Sequence, residues 1–258
     1  MKIRLVSDLH LSELIGTIYL LPVLSDDSQT ILIIAGDLSE FNKPSTYLPF
    51  LDDVAKRFME VFIILGNHEP MGSNIDDVSY EKVIKKQNYH NVHTNKLIMK
   101  NEKIAIIGRT LWTSFDDENP ITELKSYLKL KDFKRIKIGK NDRKLTVKDL
   151  LDLHYKQKKE LFDEIDEYIE KGYTIIAVSH HHPSLKSLNP KYGTHAFNHD
   201  LATNLEDKIK KRPEILYWFC GHIHKRISYI IGDTKLECNP KGHPDEVSGW
   251  NPKLYFDI

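Results

Sequence analysis

The sequence predicts an α/β layered domain with mixed sheets, on three observations. Short β-branched runs that are apolar on both faces stop abruptly at polar residues, helical patterns lie between them, and a hairpin pattern follows late in the chain. In order, the strand runs are 3–6 (IRLV), 31–35 (ILIIA), 61–65 (VFIIL), 104–108 (IAIIG), 174–179 (TIIAVS) and 215–220 (ILYWFC). Helical spacing covers 45–59 and 78–87. The longest helix spans about 146–171, where Thr146 caps it and Gly172 stops it. Residues 226–238 (RISYIIGDTKLEC) form a hairpin pattern that turns at Gly232-Asp233.

No repeat, low-complexity tract or Pro/Gly-rich linker divides the chain, so one domain over 1–258 is expected, with a helical and basic insertion at about 115–171. Lys plus Arg and Asp plus Glu are equal at 37 each, so no global field favours a polyanion or an acidic membrane surface. The first residues, MKIRLVSDLHL, are interrupted by Arg4, Asp8 and His10 and do not read as a secretion leader. The apolar runs are too short to span a bilayer. Two cysteines give no disulfide framework, and the expected location is a reducing cytoplasm.

The stretch WFCGHIHKR (218–226) has two incompatible readings. Cys220 and Arg226 fit the minimal spacing of a thiolate phosphatase, whereas His222 and His224 at alternate positions suggest a metal. The thiolate reading needs backbone N–H groups wrapped around phosphate and a helix after the loop. Here the residues after it, RISYII, read as a strand, so Cys220 is expected only to close a buried strand.

The metal reading has company. Ser7-Asp8-Leu9-His10, Gly36-Asp37, Gly66-Asn67-His68-Glu69, Ser179-His180-His181-His182-Pro183 and Gly221-His222-Ile223-His224 each follow an apolar run. Strand carboxyl ends are where α/β sheets hold ligands, and alternate residues of an extended chain point the same way. Carboxylate, amide and imidazole donors without thiolate suit Mn²⁺, Fe or Zn²⁺. Any one of these Asx or His residues alone would pass for a cap, a turn or a surface side chain.

Taken in that order, D-x-H, G-D, G-N-H-E, H-H-x-P and G-H-x-H resemble the calcineurin-like metallophosphoesterases, with motifs spread from residue 8 to residue 224. GRTLWTSF (108–115) and CNPKGHP (238–244) look like a bacterial and phage subgroup of small members. The resemblance implies a four-layer α/β/β/α sandwich with two mixed sheets and a dinuclear metal site at the strand carboxyl ends. It implies two divalent ions bridged by Asp37, one held by Asp8, His10 and His224 and the other by Asn67, His180 and His222. His181 stays open as the alternative to His180. His68 would donate to a phosphate oxygen or to the leaving group. Manganese is the first expectation for the ions, with Fe, Zn²⁺ and Ni²⁺ as alternatives. The expected reaction is direct attack on phosphorus by a hydroxide held between the ions, at roughly 3.5–4 Å separation.

The expected substrate is a small or nucleotide phosphodiester, with a phosphomonoester or a non-catalytic scaffold as alternatives. Gly36-Asp37-Leu38-Ser39-Glu40 lacks the Asp-Arg-Gly continuation of phosphoprotein phosphatases, and the chain has no room for the added domains of large nucleases, so nucleic acid is not favoured. No membrane partner is expected, and the oligomeric state is left open.

Residues 125–148 carry ten Lys/Arg against two Asp, followed by acids at Glu160, Asp163, Glu164, Asp166, Glu167 and Glu170. This reads either as a solvated insertion balanced locally or as a cap that draws phosphate through Lys134, Arg135 and Lys137. His93, His154, His195, His199 and His243 match no metal motif and read as surface or packing, with His195 and His199 as candidates for a pocket wall. Arg109 would touch either phosphate or an acid. Trp112, Phe115 and Trp218 read as core.

Overall fold

In the computed structural model, which describes residues 1–14, 16–192 and 198–258, the first half holds β1 (Lys2–Val6), β2 (Thr30–Ala35), α1 (Pro44–Arg57), β3 (Glu60–Ile64), α2 (Tyr80–Gln87), β4 (Val92–Thr94), β5 (Lys96–Met99) and β6 (Ile104–Arg109). There follow α3 (Phe115–Glu118), α4 (Pro120–Lys129), α5 (Asp132–Arg135), β7 (Lys137–Ile138), β8 (Arg143–Lys144) and α6 (Val147–Glu170). The last part holds β9 (Thr174–Ser179), α7 (Glu206–Lys210), β10 (Ile215–Cys220), β11 (Ile227–Ile231), β12 (Thr234–Cys238) and β13 (Tyr255–Asp257). His195 lies outside the described residues.

Two mixed sheets result. One runs β13-β1-β2-β3-β4, with β1 to β4 parallel and β13 antiparallel to β1. The other runs β11-β12-β10-β9-β6-β5, with a parallel centre and antiparallel edges. Strands buried on both faces read as unbroken apolar runs, which is why β2, with all six residues buried, shows no alternation. One set of side chains, including Ile3, Leu5, Ile33, Phe62, Ile106, Val178 and Phe219, packs between the sheets. The opposite face of the first sheet meets α1 through Tyr47, Phe50, Leu51 and Val54. The opposite face of the second meets α6 through Leu161, Phe162 and Ile165. The layers are therefore helix, sheet, sheet, helix.

Thr146 caps α6 in a capping box with Asp149, a device that contributes about 1 kcal/mol, and Gly172 follows the helix at φ 74°. The outer half of α6 is thus a layer of the fold, while its first turns join the preceding insertion. That segment packs Phe115, Phe133, Ile136, Leu145 and Leu150 in a small core shared with Met71 and Trp112 from outside it. Its entry, α3, is a left-handed turn: Phe115, Asp116, Asp117 and Glu118 all have positive φ. Trp218 is buried in the second sheet's core, so Trp112, Phe115 and Trp218 all pack inside. The chain ends meet: the Met1 amino group donates to the Ile258 carbonyl at 3.1 Å, beside the β1–β13 pairing.

Candidate metal centre

All five polar clusters stand just past parallel strands: Asp8 and His10 after β1, Asp37 after β2, Asn67 and His68 after β3, His180 after β9, and His222 and His224 after β10. Those strands point the same way within each sheet, so their ends gather where the two sheets face each other. The local backbone is unusual. Asp8 (φ 53°), His10 (φ 47°), Asp37 (φ 56°) and His222 (φ 68°) are all left-handed, a cost that clusters at functional sites. Backbone bonds hold the turns, Asp8 N–H to Gly36 O at 3.0 Å and His10 N–H to Asp37 O at 3.1 Å. A Cβ on Gly66 would collide with the Asp37 carboxylate, and one on Gly221 would come 2.7 Å from Asp8 Oδ2. Glycine lets these loops press against the acids.

The side chains converge across the sheets. The donor atoms of Asp8, His10 and Asp37 lie within 4.8 Å of one another, as do those of Asp37, His180 and His222, so Asp37 belongs to both groups. His10 Nε2 faces His224 Nε2 at 3.1 Å, and His224 Nε2 lies 3.4 Å from Asp8 Oδ1. His180 donates from Nδ1 to the Ala35 carbonyl at 2.9 Å, which turns Nε2 toward Asn67 Oδ1 at 3.1 Å and Asp37 Oδ2 at 3.3 Å. His222 Nε2 is buried with no hydrogen-bond partner among the described residues, although its backbone N–H donates to both Asp8 oxygens at 2.9 and 3.2 Å. His68 is half-buried, and its backbone N–H donates to Asp37 Oδ1 at 2.8 Å.

The two buried carboxylates raise the proton affinity of the imidazoles nearest them. Burial opposes a charged His180, yet the Asp37 carboxylate raises its pKa to about 10. Burial likewise opposes a charged His224, yet Asp8 raises its pKa to about 9. His222 and His68 go the other way, lowered chiefly by burial. Carboxylate, amide and imidazole atoms aimed at common points, with His10 Nδ1 and His222 Nε2 buried and unpartnered among the described residues, fit divalent cations.

Several residues that serve this centre were not foreseen. Glu69 is fully buried and accepts from the backbone N–H groups of Gly66 (2.7 Å), Leu38 (2.8 Å) and Asp37 (3.1 Å) and from Tyr80 (3.1 Å), tying two loops together. Glu246 sits 2.5 Å from His224 Nδ1. His243 stacks on His10 at 4.3 Å and pairs with Glu13 at 2.8 Å. Asn67 Nδ2 donates to Asp132 Oδ1 at 3.1 Å. Glu69 belongs to G-N-H-E and His243 to CNPKGHP, the signals that could have found them; Glu246 and Asp132 come from distant points of the chain.

His181, the alternative to His180, borders the cluster: its Nδ1 donates to the Thr110 carbonyl at 3.3 Å, and its ring packs 4.0 Å from that of His222. Other candidates fall elsewhere. Arg109 pairs with Glu164 and Glu160 at 3.1 and 3.4 Å. His93 pairs with Glu60, His199 with Asp116, and buried His154 bonds the Leu111 carbonyl. Of the insertion's cations, Arg135 pairs with Glu40, Lys137 with Asp142, and Lys134 bonds the Leu128 carbonyl. Instead Lys129 and Lys131 line a cavity of about 230 Å³ over the cluster, with Asp37, His68, Asp132 and His243. Cys220 is fully buried beside Cys238 and His182 and forms no phosphate nest.

A family model described as calcineurin-like phosphoesterase matches residues 1–226. No curated protein matches the sequence. Among solved structures, phosphopantetheinyl hydrolase from Mycobacterium tuberculosis superimposes with a TM-score of 0.68 at 16% identity, over 94% of this chain and 90% of that one. A dimetal phosphatase from Danio rerio gives a TM-score of 0.48 at 11% identity, over 92% of this chain and 86% of that one. Among the described residues, no helix is long and apolar enough to cross a membrane.

Proposed function

Because the chain belongs to the calcineurin-like phosphoesterase family, whose members are metal-dependent phosphoester hydrolases, we propose that it hydrolyses a small phosphodiester, of nucleotide or similar size, with two divalent cations. Asp8, His10 and His224 would hold one cation, Asn67, His180 and His222 the other, and Asp37 both. The bound pair would acidify a water and neutralise phosphate charge. His68, kept neutral chiefly by burial, has an N–H to donate to a non-bridging oxygen or to the leaving group. Met71 and Leu130 in the cavity wall give a second ester substituent apolar contact, and Lys129 is engaged by Asp200 at 3.4 Å. The proposal further takes 1–258 as one unit, manganese as the ion and the cytoplasm as the location.

The observation that carries this reading is the place of Asp37 in two donor groups at once. A second reading, a phosphomonoesterase, is favoured by Lys131, which lines the cavity and has no acid partner among the described residues. The test compares bis-p-nitrophenyl phosphate with p-nitrophenyl phosphate under Mn²⁺, Zn²⁺, Ni²⁺ and Mg²⁺. Faster metal-dependent turnover of the diester supports the proposal, faster turnover of the monoester selects the second reading, and turnover of neither leaves a non-catalytic scaffold.

A further inference from the structure

Asp132 is the first residue of α5, in the middle of the most basic stretch of the chain, yet its side chain is 4% exposed. Among the described residues it pairs with no lysine or arginine. Its recorded side-chain partner is the amide of Asn67, whose Nδ2 donates to Asp132 Oδ1 at 3.1 Å. An ionised group is costly to bury without a positive charge nearby, and here the cations of the insertion turn elsewhere. The acid faces the same cavity as Asp37, His68 and His222.

An amide has one oxygen and one nitrogen, and only the oxygen carries a lone pair for a cation. By taking the Asn67 NH₂, Asp132 turns Oδ1 toward His180 Nε2, 3.1 Å away. Without that acceptor the amide is free to flip and present N–H groups to the centre. We propose that Asp132 is a positioning residue of the metal centre: it fixes the Asn67 amide, and through it couples docking of the insertion to metal loading. The proposal rests on the reading of Asn67 as a ligand. Groups that orient a ligand commonly change metal affinity by roughly 10–100-fold. Coupling is reciprocal, so metal must strengthen docking of the insertion by the factor that docking adds to metal affinity.

The test uses Asp132→Ala, Asp132→Asn and Asn67→Ala, with Mn²⁺ as the probe. The readouts are Mn²⁺ affinity and stoichiometry, and amide hydrogen exchange over residues 120–145 with and without Mn²⁺. Asp132→Ala is expected to weaken one of the two ions by roughly 10–100-fold, to spare the other, and to abolish Mn²⁺-induced protection of the insertion. Asp132→Asn keeps a carbonyl oxygen facing the Asn67 NH₂ and is expected to stay within a few-fold of the parent protein. That rescue stands even if the alanine variant folds poorly. The proposal is overturned if Asp132→Ala binds both ions normally, or if Asp132→Asn is as weak as a folded Asp132→Ala. If Asn67→Ala itself keeps both ions, the ligand reading fails instead.

Discussion

Glu246 lies 2.5 Å from His224 Nδ1, while His224 Nε2 faces Asp8 at 3.4 Å. The carboxylate therefore orients the ring and makes its inner nitrogen a stronger donor. Glu246→Ala is expected to weaken one Mn²⁺ by roughly 10–100-fold, with Glu246→Gln intermediate, as read by competition titration. Equal affinity in all three proteins would remove Glu246 from the centre.

Metal binding should release protons. With His180 raised to about 10 and His224 to about 9, both rings carry a proton at neutral pH that a cation must displace. Mn²⁺ affinity is thus expected to climb with pH up to about 9–10. The metal-free protein should do the reverse: both folded pKa values lie above the usual 6.5, so the stability from His180–Asp37 and His224–Asp8 fades as pH rises from 6.5 through 9–10. Titration in a weakly buffered dye, together with melting at several pH values, checks both slopes.

Glu69 meets four donors and nothing else, so a side-chain NH₂ has no place there. Glu69→Gln sets N–H against N–H and is expected to cost about 1–3 kcal/mol per unsatisfied group. A lower melting temperature with weaker Mn²⁺ binding is the expected result. An unchanged variant would mean that the loops are held by their backbone alone.

Far from the site, Asp27 takes Arg4 at 3.0 Å and Arg57 at 2.7 Å, and Arg4 is 1% exposed. Asp27→Ala strands a buried guanidinium and should cost about 3–5 kcal/mol. For a chain of this length that is a melting shift of roughly 10 °C, seen by calorimetry, with turnover at 25 °C preserved.

Cys220→Ala should keep turnover of the better substrate while His222→Ala loses it by at least about 100-fold. The reverse pattern would restore the sulfur reading of WFCGHIHKR.

The predicted strands at 174–179 and 215–220 coincide with β9 and β10, because residues buried on both faces leave an unbroken apolar signature. The short β4, β5, β7, β8 and β13 left no such mark; two to four residues cannot show a period, and their pairing depends on neighbours far along the chain. The same division runs through the site. Asp8 with His10, and His222 with His224, announce themselves by local spacing. Glu246 and Asp132 reach the centre only once the chain has folded, while Glu69 shows in the sequence as the last letter of G-N-H-E. Of the two readings of the basic stretch, local balance fits Lys134, Arg135 and Lys137, which Glu40, Asp142 and a carbonyl claim; which partner takes which cation was not legible, because Glu40 lies far along the chain.

The joined ends have a practical corollary. Met1 and Ile258 exchange backbone bonds at the amino end of β1, whereas the metal cluster sits past its far end, roughly five residues or 15–20 Å away. A short tether could close the polypeptide into a ring, and fresh termini could be cut at the exposed pair Lys140 and Asn141. Cargo fused at Met1 or Ile258 would hang on the side opposite the mouth.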